Sequence, residues 1–151
     1  MPTSISQLFA NGNLPNIVLI ITDQERTIQH WPASFLANLP AMQQLMNTGL
    51  TFENTFTGAC MCSPSRATFL TSNYPAQTGV KQTGSEALPL PAEFPNLATV
   101  LAKAGYENIV WKGKWHLEGL TSPTNLKPYG VRLVGLVRPS RCHFPFQTMF
   151  S

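Results

Sequence analysis

Pro15-Asn16-Ile17-Val18-Leu19-Ile20-Ile21-Thr22-Asp23 is the stretch that decides the class of fold. Its apolar residues follow one another without alternation, and most are β-branched. A strand that reads this way suits burial on both faces, the condition of a parallel strand inside an α/β sheet. The run delivers Asp23, Gln24 and Glu25 to the strand's C-terminal end, the edge where open α/β sheets bind ligands. Taken alone, those three residues read more simply as polar loop.

Outward from this strand the chain alternates between helical and extended patterns. Residues 1–14 are a polar lead-in. His30-Trp31-Pro32 makes a turn, and Asn38-Leu39-Pro40 opens a helix whose Leu39, Met42, Leu45 and Met46 share one face. Gly49 closes that helix, and its methionines read as core filling with no cofactor role. Leu50 to Thr57 looks extended. Residues 75–95, rich in Pro, Gly, Thr and Gln, read as a long surface loop. Asn96 caps a second helix with Leu97, Val100, Leu101 and Ala104 at helical spacing, ended by Gly105. Tyr106 to Trp111 is a further strand, and it carries Lys112-Gly113-Lys114-Trp115-His116-Leu117 at its end. Two lysines and a histidine there can bind an anion and donate a proton. A solvated Lys112 and a hydrogen-bonded structural His116 are the plainer reading of that segment alone.

Between these elements lies Ala59-Cys60-Met61-Cys62-Ser63-Pro64-Ser65-Arg66-Ala67-Thr68-Phe69-Leu70. Ser63 suits an N-cap and Pro64 the first helical position. Cys62 then falls just before a helix N-terminus, where free N–H groups and the dipole favour negative charge. Arg66, about one turn in, can fold back over the same spot. Sulfur, or its oxidised product, beside a positive helix end and a guanidinium describes an anion site. A buried Cys and a surface Arg at an ordinary helix start remain the equal alternative.

The 151 residues suffice for one domain with its own core, and the net charge of +3 is scattered along the chain. That charge does not point to nucleic acid. Three cysteines make no disulfide framework, and no apolar run is long enough to span a membrane. The first thirteen residues lack the basic start and apolar centre of a secretory signal, so a cytoplasmic location is expected.

Cys62-Ser63-Pro64-Ser65-Arg66, followed by Ala67-Thr68-Phe69-Leu70-Thr71, resembles the activation signature of the sulfatase family. Two further matches stand in family order. Asn16 to Gln24 resembles its first strand, with an acidic calcium ligand at the end. Gly105-Tyr106 through Gly113-Lys114-Trp115-His116-Leu117 resembles its second signature. The resemblance implies an alkaline-phosphatase-like α/β fold, a mainly parallel sheet flanked by helices, with strands near 16–22 and 107–111. Asp23, Cys62, Lys114 and His116 are expected to converge at one edge of it.

The resemblance also implies a chemistry. A formylglycine-generating or other sulfatase-maturing enzyme, a partner of the chain, would oxidise Cys62 to formylglycine, whose hydrate attacks a sulfate ester. Ca²⁺, held in part by Asp23, Gln24 and the modified Cys62, would neutralise sulfate oxygens. Arg66 would orient the formylglycine, Lys114 would bind a sulfate oxygen, and His116 would hydrogen-bond the hydrate. The substrate class implied is a small-molecule sulfate monoester.

There are departures. Asp23 is followed by Gln24 where most relatives have a second acidic residue, a pairing closer to choline sulfatases and phosphonate monoester hydrolases. The second signature has an extra residue before Gly113, and Glu118 interrupts the usual Leu-Gly. A phosphonate monoester or phosphodiester hydrolase of the same superfamily is the alternative activity. A non-catalytic binding fragment is the alternative of another class. Cys60 to Arg66 also has the Cys-x₅-Arg spacing of cysteine phosphatases, but Pro64 removes one of the N–H donors that fold needs.

The resemblance runs through residues 15–130. Val131 to Ser151 has three arginines, no acidic residue and no periodic apolar pattern, which suggests a frameshifted or divergent tail. Cys142 and His143 there read as accidental. Further calcium ligands and sulfate-binding residues lie far downstream in the family, so the chain is expected to be an inactive N-terminal fragment.

Overall fold

The computed structural model describes residues 14–83, 88–117, 126–134 and 146–150, apart from Gln24, Arg26 and Ala33. The lead-in through Asn13, Gln24, Glu118, Cys142 and His143 lie outside the described residues.

Four strands form one sheet in the order β1-β4-β2-β3: β1 Val18–Thr22, β2 Val110–Lys112, β3 Arg132–Leu133 and β4 Phe146–Phe150. β4 runs antiparallel to both neighbours, with Thr22 opposite Phe146 on one side and Lys112 opposite Thr148 on the other. β1 and β2 therefore point the same way and end at the same sheet edge, as expected. The expected mainly parallel sheet is nevertheless mixed among the described strands, since only β2 and β3 pair in parallel. Both β3 and β4 come from the segment after Tyr129-Gly130 in which no strand pattern was expected.

The reading of β1 as buried on both faces needs a second correction. Leu19 and Ile21 pack against the core, whereas Val18 and Ile20 are 55% and 54% exposed. Ile20 instead lines an open groove of about 900 Å³ with Trp31, Phe35, Leu39, Met42 and Leu45. The last two belong to α1, Pro40–Thr48, which buries none of its residues. Met42 thus lines a groove, and neither methionine of the helix is buried in the core. Gly49 does close α1, through its amide on the Leu45 carbonyl at 2.8 Å, but its φ of −110° is not left-handed. Close approach is what demands glycine there: a Cβ would sit 2.8 Å from that same oxygen. Leu50 to Thr57 follows with no strand.

The core lies where α2, Cys62–Thr71, and α4, Leu97–Lys103, meet β2. Ala67 and Leu70 of α2, Ala98 and Leu101 of α4, and Trp111 of β2 are its centre. The Asn96 cap is as expected: its Oδ1 accepts from the amides of Ala98 at 2.9 Å and Thr99 at 3.3 Å. The Thr99 hydroxyl in turn accepts from the Asn96 amide at 3.0 Å. Gly105, at φ 99°, ends the turn beyond α4.

Residues 75–95 are no simple surface loop. They begin with α3, Pro75–Thr78, and bury Val80 and Leu90 to 0% and 2% exposure. The Leu90 amide donates to the Leu117 carbonyl at 2.9 Å, and the Leu90 carbonyl accepts from the Tyr129 hydroxyl at 2.9 Å. Two apolar anchors in a polar stretch therefore tie this segment to the end of the Lys112–Leu117 sequence.

Candidate active site

Asp23 follows β1 directly, and Lys114 stands two residues beyond β2. Because both strands end at one edge, only the width of β4 separates these positions, roughly 10 Å from β1 to β2. The lysine stem spans it, and Nζ reaches Asp23 Oδ2 at 2.9 Å. The same Nζ lies 3.6 Å from Cys62 Sγ. Arg66 completes the cluster. Its Nη2 stands 3.7 Å from Asp23 Oδ1, and its Nη1 donates to the Lys114 carbonyl at 2.9 Å. Asp23, Cys62, Arg66 and Lys114 are thus one contact group, drawn from positions 91 residues apart in sequence.

Trp115 explains how the second signature presents its charges. It is buried between Trp111 and Tyr129, with ring centroids 5.0 and 5.1 Å away. Anchoring this ring inward leaves Lys114 and His116 on either side of it free to face elsewhere. Gly113 at φ 101° supplies the bend before it, and His116 itself is left-handed at φ 61°. A non-glycine residue is uncommon in that region and marks a constrained position. His116 Nδ1 is buried without a hydrogen-bond partner. Its burial, aided by the positive charges of Lys114 and Arg66, lowers its pKa below the ordinary 6.5, against an opposing pull from Asp23. The imidazole is therefore neutral near pH 7. Burial likewise lowers the Arg66 pKa from 12.5, opposed by Asp23. Lys112, by contrast, is exposed.

The helix start differs from the sequence reading by two residues. Cys62 is the first residue of α2 and Met61, extended at ψ 152°, is its N-cap, so Ser63 does not cap. The Ser63 amide is capped from a distance instead, donating to Thr83 Oγ1 at 2.9 Å. With that amide satisfied, the Ser63 hydroxyl turns inward and is buried without a partner. Opposite α2, Thr57 Oγ1 lies 3.2 Å from Ser65 Oγ. Gly58 presses so close to Thr68 that a Cβ would come within 2.6 Å of its methyl.

A cavity of about 420 Å³ opens over the cluster, lined by Asp23, Glu25, Thr57, Cys60, Cys62 and Arg66 among others. Both Cys60 and Cys62 are free thiols. In formal charge, Arg66 and Lys114 are balanced by Asp23 and by Glu25 on the cavity lining. Thr83 and Thr57 were not foreseen, and nothing local in their sequence marks them.

Calcium takes six to eight oxygen ligands. The described residues offer the Asp23 carboxylate, already paired with Lys114, and no group of three His, Cys, Asp or Glu gathers among them. By themselves they do not fit the ion.

The α/β fold thus brings a thiol, two cations and a carboxylate together at its strand ends. The sulfatase family profile matches residues 15–150, and the chain belongs to that family. Its relatives include an ulvan-active sulfatase of Formosa agariphila, 35% identical over 106 residues, which are 70% of this chain and 20% of that protein. A choline-sulfatase of Rhizobium meliloti is 30% identical over 128 residues, 83% of this chain and 23% of the relative. Human arylsulfatase A is 36% identical over 110 residues, 68% and 21% of the two chains. The chain thus spans about a fifth of the length of these relatives. Among the described residues no helix is long and apolar enough to cross a membrane.

Proposed function

We propose that the chain carries the nucleophile side of a sulfuric ester hydrolase site, with Cys62 as the residue converted to formylglycine by a maturing enzyme. The observation that carries this reading is the contact group of Asp23, Cys62, Arg66 and Lys114 at one sheet edge. A sulfate monoester resists attack because its oxygens are negative, so a catalyst must neutralise them and hold the nucleophile in line. Formylglycine supplies a hydroxyl nucleophile at that position once water has added to it.

The remaining roles belong to the side chains of this chain. Arg66, buried and donating to the Lys114 carbonyl, is proposed to orient the residue-62 side chain. The Lys114 ammonium, 3.6 Å from Cys62 Sγ, is proposed to bind a sulfate oxygen. Neutral His116 can accept or donate one hydrogen bond at the same edge. Asp23, with Gln24, is proposed to contribute to a calcium shell completed by oxygens other than those of the described residues. Small sulfate monoesters are the proposed substrates.

The paired cations Arg66 and Lys114 suit the oxygens of a sulfate monoester, and equally those of a phosphonate monoester or a phosphodiester. Turnover of an aryl sulfate against an aryl phosphonate ester separates them. The expected result, measured on the chain with Cys62 matured and any remaining family segment supplied, is faster turnover of the sulfate. Preference for the phosphonate ester would assign the alternative activity.

A further inference from the structure

Cys60 and Cys62 are both free thiols, and both line the cavity over the site. Only Cys62 has a part in the proposed reaction, which leaves a second sulfur in the same cavity without one. Met61 between them is extended, at φ −107° and ψ 152°. Side chains on either side of one extended residue share a face, and their Cα atoms stand roughly 6.5 to 7 Å apart. That lies within the separation of about 7 Å that a disulfide can bridge. We infer that Cys60 is the resolving thiol of Cys62: hydrogen peroxide in the cavity oxidises Cys62, and Cys60 then closes a Cys60–Cys62 disulfide.

The two thiols suit different parts of this chemistry. Cys62 is half-buried, and Lys114 Nζ lies 3.6 Å from its Sγ. An ammonium in that place can hydrogen-bond the oxygen that departs when sulfur attacks a peroxide. Cys60 is exposed and precedes α2, so its backbone can adjust without unwinding the helix. In the first step Cys62 Sγ attacks the peroxide. The O–O bond breaks, an S–O bond forms, and the departing oxygen leaves as water with the thiol proton. In the second step Cys60 Sγ attacks Cys62 Sγ. The S–S bond forms, the S–O bond breaks, and the hydroxyl leaves as a second water with the Cys60 proton. The thiols together give up two electrons, and one hydrogen peroxide becomes two waters. A bonded Cys62 holds no thiol for conversion to formylglycine until a reductant reopens the bond. This consequence alone rests on the proposed function.

The test uses the whole chain, reduced and not matured. It is treated with hydrogen peroxide, alkylated and digested, and the peptide from Phe52 to Arg66, which holds both thiols, is analysed by mass spectrometry. Wild type should lose two hydrogens within this one peptide, take up no alkyl group there, and regain both thiols on dithiothreitol. Cys60→Ser should instead stop at the sulfenic acid, seen as a dimedone adduct at Cys62 and so distinct from oxygen added to Met61. Cys142→Ser should behave as wild type. Sulfenic or sulfinic acid at Cys62 of wild type without the loss of two hydrogens overturns the inference. So does a bond from Cys62 to Cys142 or to a second chain, or a peptide left unoxidised where free cysteine is oxidised. The measurement precedes maturation, so these results leave the formylglycine reading untouched. Failure of the reduced chain to mature would sink that reading and leave the disulfide standing.

Discussion

His116 shows how one side chain makes the site sensitive to pH. It is left-handed, its Nδ1 is buried without a partner, and burial next to Lys114 and Arg66 lowers its pKa below 6.5. Below about pH 6.5 the unfolded chain therefore takes up a proton that the folded chain resists. His116 contributes stability above that pH and loses it as pH falls through the lowered folded value. Urea midpoints measured from about pH 7.5 down to about pH 5 should drop in wild type, and removing the titrating ring by His116→Gln should flatten the drop. Equal slopes for the two proteins would show that His116 is not the titrating group. Of the residues at this site, those set by a signature were legible in the sequence: Asp23, Cys62, Arg66, Lys114 and His116 all stand at or near the edge expected. Their contacts were not legible. Nothing in the sequence says that Lys114 would reach across β4 to Asp23, because that depends on which strand lies between.

At the scale of elements, the two caps make an instructive pair. Asn96 was readable because N-capping is local: the acceptor and the two amides it serves lie within three residues. Asn96→Ala should lower unfolding stability by about 1 kcal/mol, with Asn96→Ser retaining most of it. A urea titration checks this, and a loss within error of zero would show that α4 needs no cap. Ser63 has the same local appearance but its amide is served by Thr83, twenty residues away. The sequence signal was right in kind, a helix start at 62–64, and wrong in partner. The same limit explains residues 75–95. Pro, Gly and polar residues dominate there by number, yet Val80 and Leu90 decide where the segment goes, because burial of two side chains outweighs the preferences of the polar remainder.

For the molecule as a whole, the α/β class and the common direction of β1 and β2 followed from the apolar run at 17–21 and from the second signature. The mixed sheet did not. Strand order depends on pairing between distant segments, and β4 comes from a stretch with no alternating pattern of its own around it. Nor did β1 meet its expected surroundings: its run suits burial on both faces, and one face here opens onto the α1 groove. What the fold does settle is placement, since two strand ends and one helix start bring a thiol, two cations and a carboxylate into contact. The central claim is that Cys62 is the residue this arrangement serves. Co-expression of the chain with a sulfatase-maturing enzyme, followed by mass spectrometry of the peptide from Phe52 to Arg66, tests it most directly. The account predicts loss of H₂S and gain of one oxygen at Cys62, with Cys60 unchanged. An unmodified Cys62 in cells whose maturing enzyme converts a control sulfatase, or conversion at Cys60 instead, would contradict it.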